Sequence, residues 1–360
     1  MDARMKVLNA PGPAVLVEVT RGAVAESSHR GHVVAVEPDG RVVAHLGEPE
    51  TVAYLRSASK PHQAIPLVES GAADRFGFNE REIAIACGSH SGEAMHTETV
   101  ARMLRKLGLD ESALKCGAHE PYSEETAHLL RERGEQPSQL HNNCSGKHAG
   151  MLALALHLGA PVEGYDDPSG PVQLAVGRVI EQFSDTPLKD IAVGTDGCGV
   201  PSFGVAVRAM ALMAARLVEP REGWDAGTRE ACSRIVSAMR RHPEMIEGTG
   251  EMDTEIMLHA KGRLVSKVGA EGVYTVGVLP CEEWPRGLGV ALKLEDGDRD
   301  ERARPVAAVE TLRQLGVLRA DELDALSRFA CAELCNHRGD RVGEVRAAFE
   351  LKRVSVLASH

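Results

Sequence analysis

The spacing of apolar residues changes twice along this chain, from strand-like to helical and back to strand-like. Near the N-terminus, Val15–Val19 is an apolar run, and His32–His45 holds two such runs around Asp39-Gly40, a hairpin turn signal. Helical spacing follows in Thr97–Lys106, Glu124–Arg133, Met151–Leu158, Val172–Phe183, Val205–Leu217 and Thr228–Arg240. Strand-like runs return at Arg263–Lys267, Val273–Leu279 and Gly289–Leu294, and a helical pattern over Val306–Leu315 comes last.

This order predicts an α+β fold in which strands from both ends of the chain form one antiparallel sheet, flanked by helices. We expect a single domain over residues 1–360. Its sheet subdomain would contain about residues 1–60 and 255–360, and a mainly helical subdomain about residues 61–254. The place where the sheet meets the helical insert is the expected position of a binding cleft.

Charge and composition limit the partners of this chain. The formal net charge of -11 argues against nucleic acid or an anionic membrane surface, because both repel an acidic protein. The longest apolar runs are shorter than the ~20 residues that span a bilayer. No signal-peptide apolar core follows Met1, so we expect a cytoplasmic protein. The eight cysteines are too dispersed to indicate a disulfide framework.

The segment Arg56-Ser57-Ala58-Ser59-Lys60-Pro61 pairs a serine with a lysine three positions later. On a helix this spacing puts both side chains on one face, where the lysine amine could take the proton of the Ser57 hydroxyl. Lys60 can act as that base only if burial or a nearby cation lowers its pKa from the usual ~10.4. In the alternative interpretation, Ser57 caps a helix and Lys60 is a solvated charge. Ser59 is a rival to Ser57 as the reactive serine.

Two later segments strengthen the functional interpretation. The S-x-x-K segment is followed along the chain by Ser89-His90-Ser91-Gly92 and then by Lys267-Val268-Gly269. This order is similar to that of the signature motifs of penicillin-binding proteins and β-lactamases. The similarity is imperfect, because Ser91 replaces an asparagine and Val268 a threonine. Two neighbouring lysines would lower the pKa of one amine, leaving one as base and the other as a cation for a carboxylate or oxyanion. Alone, Lys267 would be an ordinary strand-end charge.

Two cysteines lie in segments with unusual surroundings. Cys144 precedes the helix that contains Met151–Leu158, with Ser145 as the predicted N-cap, so the helix dipole favours its thiolate. Cys198 lies in the glycine-rich turn of residues 194–199. Two interpretations stay open: two buried thiols in tight turns, or a zinc site. For zinc, chemistry favours His148 over Lys147 as the third ligand.

These segments together resemble the class 3 (rhizobial-type) L-asparaginases, within the asparaginase II family. The similar stretches are Arg56–Gln63, Ser89-His90-Ser91, Cys116-Gly117, Asn142–Gly150, Gly194–Cys198, Arg241–Met245 and Lys267–Ala270. They extend from about residue 20 to about residue 295, and the match beyond about residue 300 is weaker. The resemblance implies a serine β-lactamase/penicillin-binding-protein-like fold, a homodimer, and hydrolysis of L-asparagine to L-aspartate and ammonia.

The resemblance also implies roles for individual residues. Two Ser–Lys pairs would be catalytic, namely Ser57 with Lys60 and Ser89 with Lys267. A zinc ion would be held by Cys144, Lys147, Cys198 and water, so the resemblance favours Lys147 over His148 as a ligand. Candidates for contact with the substrate are Arg56, His148 and Asp196. Asp253 stands where rhizobial relatives have a cysteine.

The resulting hypothesis is a serine amidohydrolase in which Ser57, assisted by Lys60, attacks the side-chain amide of asparagine. Ser89 is the alternative nucleophile. Two other function classes stay open: another serine amidohydrolase of the same fold, such as a glutaminase or a penicillin-type enzyme, and a non-catalytic, zinc-stabilised binding protein.

Overall fold

The computed structural model describes residues 12–354, which contain twelve strands in two sheets. The strands are β1 (Ala14–Arg21), β2 (Val24–Val36), β3 (Val42–Leu46), β4 (Val52–Tyr54), β5 (Ala192–Thr195), β6 (Pro201–Ala206), β7 (Leu264–Gly269), β8 (Val273–Val278), β9 (Leu288–Leu294), β10 (Cys331–Cys335), β11 (Arg341–Ala347) and β12 (Lys352–Arg353). Nine strands form the larger sheet, in the order β10-β11-β1-β2-β9-β8-β7, with β3 paired to β2 and β12 paired to β3.

Every pairing in the larger sheet is antiparallel, and its strands come from both ends of the chain. The prediction of a mixed fold with an antiparallel sheet built from both ends is therefore confirmed. β2 is long enough for two roles, since its first half pairs with β1 and its buried second half lies between β3 and β9. Asp39-Gly40 connects β2 to β3, as its hairpin signal predicts.

Fourteen α-helices accompany the sheets within residues 12–354. They are α1 (Lys60–Gln63), α2 (Ile65–Glu69), α3 (Ala72–Arg75), α4 (Glu80–Ala86), α5 (Ala94–Leu107), α6 (Glu124–Arg133), α7 (Ser145–Leu158), α8 (Pro171–Ser184), α9 (Val207–Val218), α10 (Ala226–Arg241), α11 (Met252–His259), α12 (Arg304–Gln314), α13 (Ala320–Ala325) and α14 (Ser327–Ala330). All six helical segments predicted for the middle of the chain are present; one has the predicted ends, and the ends of the other five differ by at most six residues.

Helix α9 packs against the larger sheet, across strands β8, β9 and β2. Its residues are buried on almost all sides, which is why it has apolar residues around most of its circumference. A Cβ atom at Gly289 of β9 would collide with the carbonyl oxygen of Ala211 in α9. A glycine is therefore required at this point for the helix backbone to approach the sheet. This contact joins the helical middle of the chain to the sheet in one hydrophobic core.

The apolar patterns predict neither β4 nor β6 of the smaller sheet, which has the order β4-β6-β5. The apolar pattern predicted a helix from Val205, whereas β6 runs to Ala206 and α9 begins only at Val207. A short apolar strand directly before a buried helix has no polar boundary, so periodicity alone could not separate the two.

Among residues 12–354, no helix combines the length and the apolar character that crossing a membrane would require.

Candidate active site

A cleft of about 420 Å³ opens where the C-terminal end of β7 meets several loops. The loops precede α1, follow α4, and precede α7 and α11. The polar side chains that line the cleft are Ser57, Ser89, Ser91, Tyr122, Asn143, Glu247, Glu251, Glu301 and Arg304. Both predicted serines therefore face the same space, together with Val268 and Gly269 from β7.

Lys60 is buried next to this cleft at the start of α1. Its Nζ lies 2.7 Å from Ser89 Oγ, 2.8 Å from the carbonyl oxygen of Gly88 and 3.1 Å from that of Asn143. Burial lowers the pKa of Lys60 to about 8, assisted by the charges of Lys147 and Lys267 and opposed by that of Cys144. An amine with such a pKa is partly neutral near neutral pH, so it can accept a proton.

The partner of Lys60 differs from the sequence-based prediction, which paired it with Ser57. Three oxygen atoms from two distant loops, rather than the local spacing, determine where the amine lies. Ser57 belongs to a short 3-10 helix, Arg56–Ser59, and lines the cleft. The rival serine, Ser59, is buried, and its hydroxyl donates to the carbonyl oxygen of Arg56 at 2.8 Å, which is a local structural role.

Lys267 forms a buried ion pair rather than a contact with Ser89. Its Nζ lies 3.3 Å from Asp253 Oδ2, and it also donates to the carbonyl oxygen of Val268 at 3.0 Å. The same carboxylate accepts hydrogen bonds from the backbone N–H of Val268 and from the Ser266 hydroxyl, both at 2.8 Å. Asp253 therefore fastens α11 to β7 and holds the Lys267 cation beside the cleft.

Arg56 and Asp196 form an ion pair at the edge of the Ser57 segment. Arg56 Nε donates to Asp196 Oδ1 at 2.8 Å, which ties the segment to the turn that carries Cys198. Arg56 has a φ of 49°, a left-handed conformation that is costly for a residue with a side chain. The two residues are thus close to the catalytic candidates, although neither belongs to the cleft lining.

Sequence reasoning missed four charged residues of the cleft: Glu247, Glu251, Glu301 and Arg304. Burial and the nearby Asp253 carboxylate raise the pKa of Glu247 to about 8. The two glycines in Glu247-Gly248-Thr249-Gly250-Glu251 mark a turn that carries two carboxyl groups, which is a detectable signal. No sequence pattern marks Glu301 and Arg304 as part of a site. They line the cleft because they lie just before α12 and at its start.

Cys144, Lys147 and Cys198 lie together in a buried cluster. The two thiols are in hydrogen-bonding contact, and Lys147 Nζ lies 2.9 Å from Cys198 Sγ. The hydrogen bond from Cys198 and the charge of Lys147 hold the pKa of Cys144 well below its usual range. α7 begins at Ser145, so Cys144 itself is the N-cap, and the prediction of Ser145 as N-cap is wrong by one residue.

The two thiols fit the soft sulfur ligands that zinc prefers. Against the effect of burial, the Cys144 and Cys198 charges and the hydrogen bond to Cys198 raise the pKa of Lys147, so its amine would have to lose its proton before it could act as a nitrogen ligand. Among residues 12–354, no three side chains of His, Cys, Asp or Glu are grouped as metal ligands. His148, the third ligand that chemistry favours, is therefore not grouped with the two thiols in this part of the structure. His148 is fully buried and its Nδ1 lies 2.7 Å from the Tyr165 hydroxyl. Since it is also absent from the cleft lining, its position does not support direct contact with a substrate there.

In a comparison with protein families, the model described as L-asparaginase II matches residues 17–347. A comparison with curated proteins gives no match.

Solved structures give distant likenesses. A probable glutaminase from Bacillus subtilis, complexed with 6-diazo-5-oxo-L-norleucine, is 12% identical at a TM-score of 0.38, covering 80% of this chain and 85% of that one. A structure of Mglu in its native form is 15% identical at a TM-score of 0.43, covering 84% of this chain and 67% of that one. TM-scores below 0.5 are too low to support an argument about this chain.

Proposed function

This chain belongs to the L-asparaginase II family of amidohydrolases, and we propose that it hydrolyses the side-chain amide of L-asparagine to L-aspartate and ammonia. The contact between Lys60 Nζ and Ser89 Oγ, at 2.7 Å beside an open cleft, is the observation that carries the proposal. A serine hydroxyl is a weak nucleophile until a neighbouring base takes its proton, and a buried lysine with a lowered pKa can be that base.

The three oxygen partners of Lys60 can also be satisfied by the neutral amine, the form that the proposed reaction requires. A neutral amine has two N–H donors and one lone pair. The carbonyl oxygens of Gly88 and Asn143 can accept the two hydrogens, which leaves the lone pair for the Ser89 O–H. In the proposed reaction Ser89 Oγ attacks the amide carbon while Lys60 takes its proton. Lys60 then returns the proton to the leaving nitrogen, ammonia departs, and water hydrolyses the acyl-enzyme.

Ser57 and Lys267 assist in this scheme. Ser57 lines the same cleft as Ser89, so its hydroxyl can donate a hydrogen bond to the substrate. Lys267 supplies positive charge beside the cleft for the oxyanion that forms when Ser89 attacks. The scheme in which Ser57 attacks is the alternative, and it has the S-x-x-K spacing in its favour.

The zinc ion and the candidate substrate contacts remain part of the proposal. Cys144, Lys147 and Cys198 would hold the ion, with water completing its shell. Zinc would supply a rigid crosslink between the start of α7 and the turn after β5, and so keep Asn143 in place below Lys60. The Arg56–Asp196 pair would keep the Ser57 segment in position for the substrate.

The finer architecture and cellular setting are also proposals. We propose a fold of the serine β-lactamase and penicillin-binding-protein type, as a single domain with a helical subdomain inserted between the two parts of the sheet. We further propose a cytoplasmic homodimer. The motif order from Ser57 to Lys267 and the family membership support this view.

The activity is tested by ammonia release from L-asparagine and from L-glutamine, together with nitrocefin cleavage. We expect release from L-asparagine with a higher kcat/KM than from L-glutamine, and no cleavage of nitrocefin. Preferential glutamine turnover would make the protein a glutaminase, and nitrocefin cleavage a penicillin-type enzyme. Binding of L-asparagine without ammonia release would indicate the non-catalytic alternative.

The nucleophile is identified separately, by mass spectrometry of the protein after reaction with the diazoketone analogue of L-asparagine. We expect the label on the peptide that contains Ser89. A label on Ser57 would transfer the role of nucleophile to that residue. A protein that turns over asparagine yet carries the label on neither serine would refute covalent serine catalysis.

A further inference from the structure

One wall of the cleft carries a charged group that amide cleavage does not itself require. Arg304 is only 4% exposed, lines the cleft, and donates from Nη1 to the carbonyl oxygen of Gly269 at 3.2 Å. Its Nη2 pairs with Glu301 at 3.0 Å. Its Nε is buried and has no hydrogen-bond partner within residues 12–354. A buried guanidinium with an unused donor is suited to an additional anionic partner.

The carboxyl groups around Arg304 outnumber it. Glu247, Glu251 and Glu301 line the same cleft. Burial first, and then repulsion by the negative charges of Glu301 and Glu93, raise the pKa of Glu251, against the opposing charge of Arg328. A bound cation would relieve this repulsion. The cleft therefore places a guanidinium with an unused donor next to carboxyl groups that a cation would stabilise.

The loop before α12, which contains Glu301 and leads to Arg304, is held in an unfavourable backbone conformation. Asp298 and Glu301 have φ angles of 47° and 53°, in the left-handed region that favours glycine. The Asp298 carboxylate accepts hydrogen bonds from the backbone N–H groups of Ala303 and Arg304, at 3.0 and 2.7 Å, at the start of α12. Non-glycine residues kept in this region are concentrated at functional sites, where surrounding contacts maintain them.

We propose that Arg304 binds the α-carboxylate of the substrate and that Glu251 and Glu301 bind its α-ammonium. This inference rests on the proposed function and specifies its substrate class: amides of amino acids whose α-ammonium and α-carboxylate are both free. Asparagine with an acylated α-amino group is then excluded, and so are penicillins, whose amine is acylated. Succinamate, which is asparagine without the ammonium, is a poor substrate.

The experiment compares two substrates across matched variants. Ammonia release from L-asparagine and from succinamate is measured for the wild type, Glu251→Gln, Glu301→Gln, the double variant and the control Glu98→Gln. Glu98 is exposed on α5 and lies outside the cleft lining. We expect each cleft variant to lower kcat/KM for L-asparagine by about tenfold, the range of a partly exposed hydrogen bond to a charged group. Succinamate turnover stays within about twofold of wild type, as does every rate of the control.

A second comparison tests the contact between Arg304 and the α-carboxylate of the substrate. Arg304→Gln should lower kcat/KM for L-asparagine but leave turnover of β-alaninamide, which lacks the α-carboxylate, unchanged. Because Arg304 is buried, its variant is compared only if its melting curve remains cooperative. Equal losses on both substrates of a pair, or no loss on L-asparagine, would overturn the assignment.

A binding measurement separates this inference from the proposed function. Titration calorimetry compares L-aspartate with succinate, which differ only in the ammonium. We expect L-aspartate to bind wild type more tightly than succinate, and Glu251→Gln with Glu301→Gln to remove this difference. This result with a protein that releases no ammonia would support the inference and refute the activity. Ammonia release combined with equal binding of both ligands would support the activity and refute the inference.

Discussion

The ammonium of Lys267 lies 3.3 Å from a carboxylate oxygen of Asp253, and both side chains are almost completely buried. The pairing gives the two lysines of the site different tasks. Lys60 contacts two carbonyl groups and a serine hydroxyl, which suits a neutral base. Lys267 pairs with the Asp253 carboxylate, which suits a lysine that supplies charge rather than one that accepts a proton.

Replacing Asp253 by asparagine should strongly destabilise the fold, because it leaves the buried Lys267 cation without a counter-charge. Breaking a buried ion pair from one side costs about 3–5 kcal/mol. Denaturant unfolding measures the loss, and Asp253→Asn combined with Lys267→Met should recover much of it. As a control, Asp321→Asn removes the exposed partner of Lys261 and should change stability little. Equal stability of Asp253→Asn and wild type would contradict the ion-pair role.

Replacing Lys60 by methionine should abolish turnover while preserving the fold, since methionine fills a similar apolar volume. Loss of a general base costs about 10²–10⁴-fold in kcat. Ser89→Ala should be at least as damaging as Lys60→Met, and Ser57→Ala clearly less so, because Lys60 contacts Ser89. Steady-state ammonia assays with a melting curve for each variant provide the test. A larger effect of Ser57→Ala would favour Ser57 as the nucleophile.

The activity should rise with pH. The base form of Lys60 is the neutral amine, and burial lowers its pKa to about 8, so the fraction of active enzyme increases as the pH approaches that value. We expect kcat/KM to increase about tenfold per pH unit below the pKa and to level off above it. Lys60→Arg, which stays protonated, should be inactive at every pH. A profile that is flat from about pH 6 to about pH 9 would exclude Lys60 as the base.

The purified protein should contain about one zinc ion per chain, held by the cluster at the start of α7. Cys198→Ser should lose the metal and melt at a lower temperature, because metal binding contributes to folding. Cys335→Ser, at an exposed cysteine, should retain it. Elemental analysis and thermal melting give two independent readouts. Full zinc content in Cys198→Ser would place the metal elsewhere.

Gly289→Ala should destabilise the core, because its Cβ would meet the carbonyl oxygen of Ala211 in α9. The helix and the sheet would have to separate, at a cost of about 1–3 kcal/mol or more. Gly223→Ala is the matched control, since a Cβ there meets no atom within 4 Å. Chemical unfolding of both variants measures the difference. A neutral Gly289→Ala would mean that α9 can move away from β9 at little cost.

Much of the architecture follows from local patterns. The turn at Asp39-Gly40 predicts the β2–β3 hairpin, and helical spacing over Glu124–Arg133 predicts the same limits that α6 has in the structure. The S-x-x-K segment and Cys144 likewise mark the surroundings of the cleft. These features can be predicted because periodicity and turn chemistry depend on residues close together in the chain.

The pairing of the charged groups is decided only by the tertiary structure. Ser57 is three residues from Lys60, yet the amine contacts Ser89, which is 29 positions away. Asp253 contacts Lys267 because α11 packs on β7. Arg304 lines the cleft although no sequence motif surrounds it. Local spacing determines which side chains lie on the same face of a helix or strand. Which distant group that face meets depends on how closely the elements pack, and this is determined by the buried surfaces of the whole core.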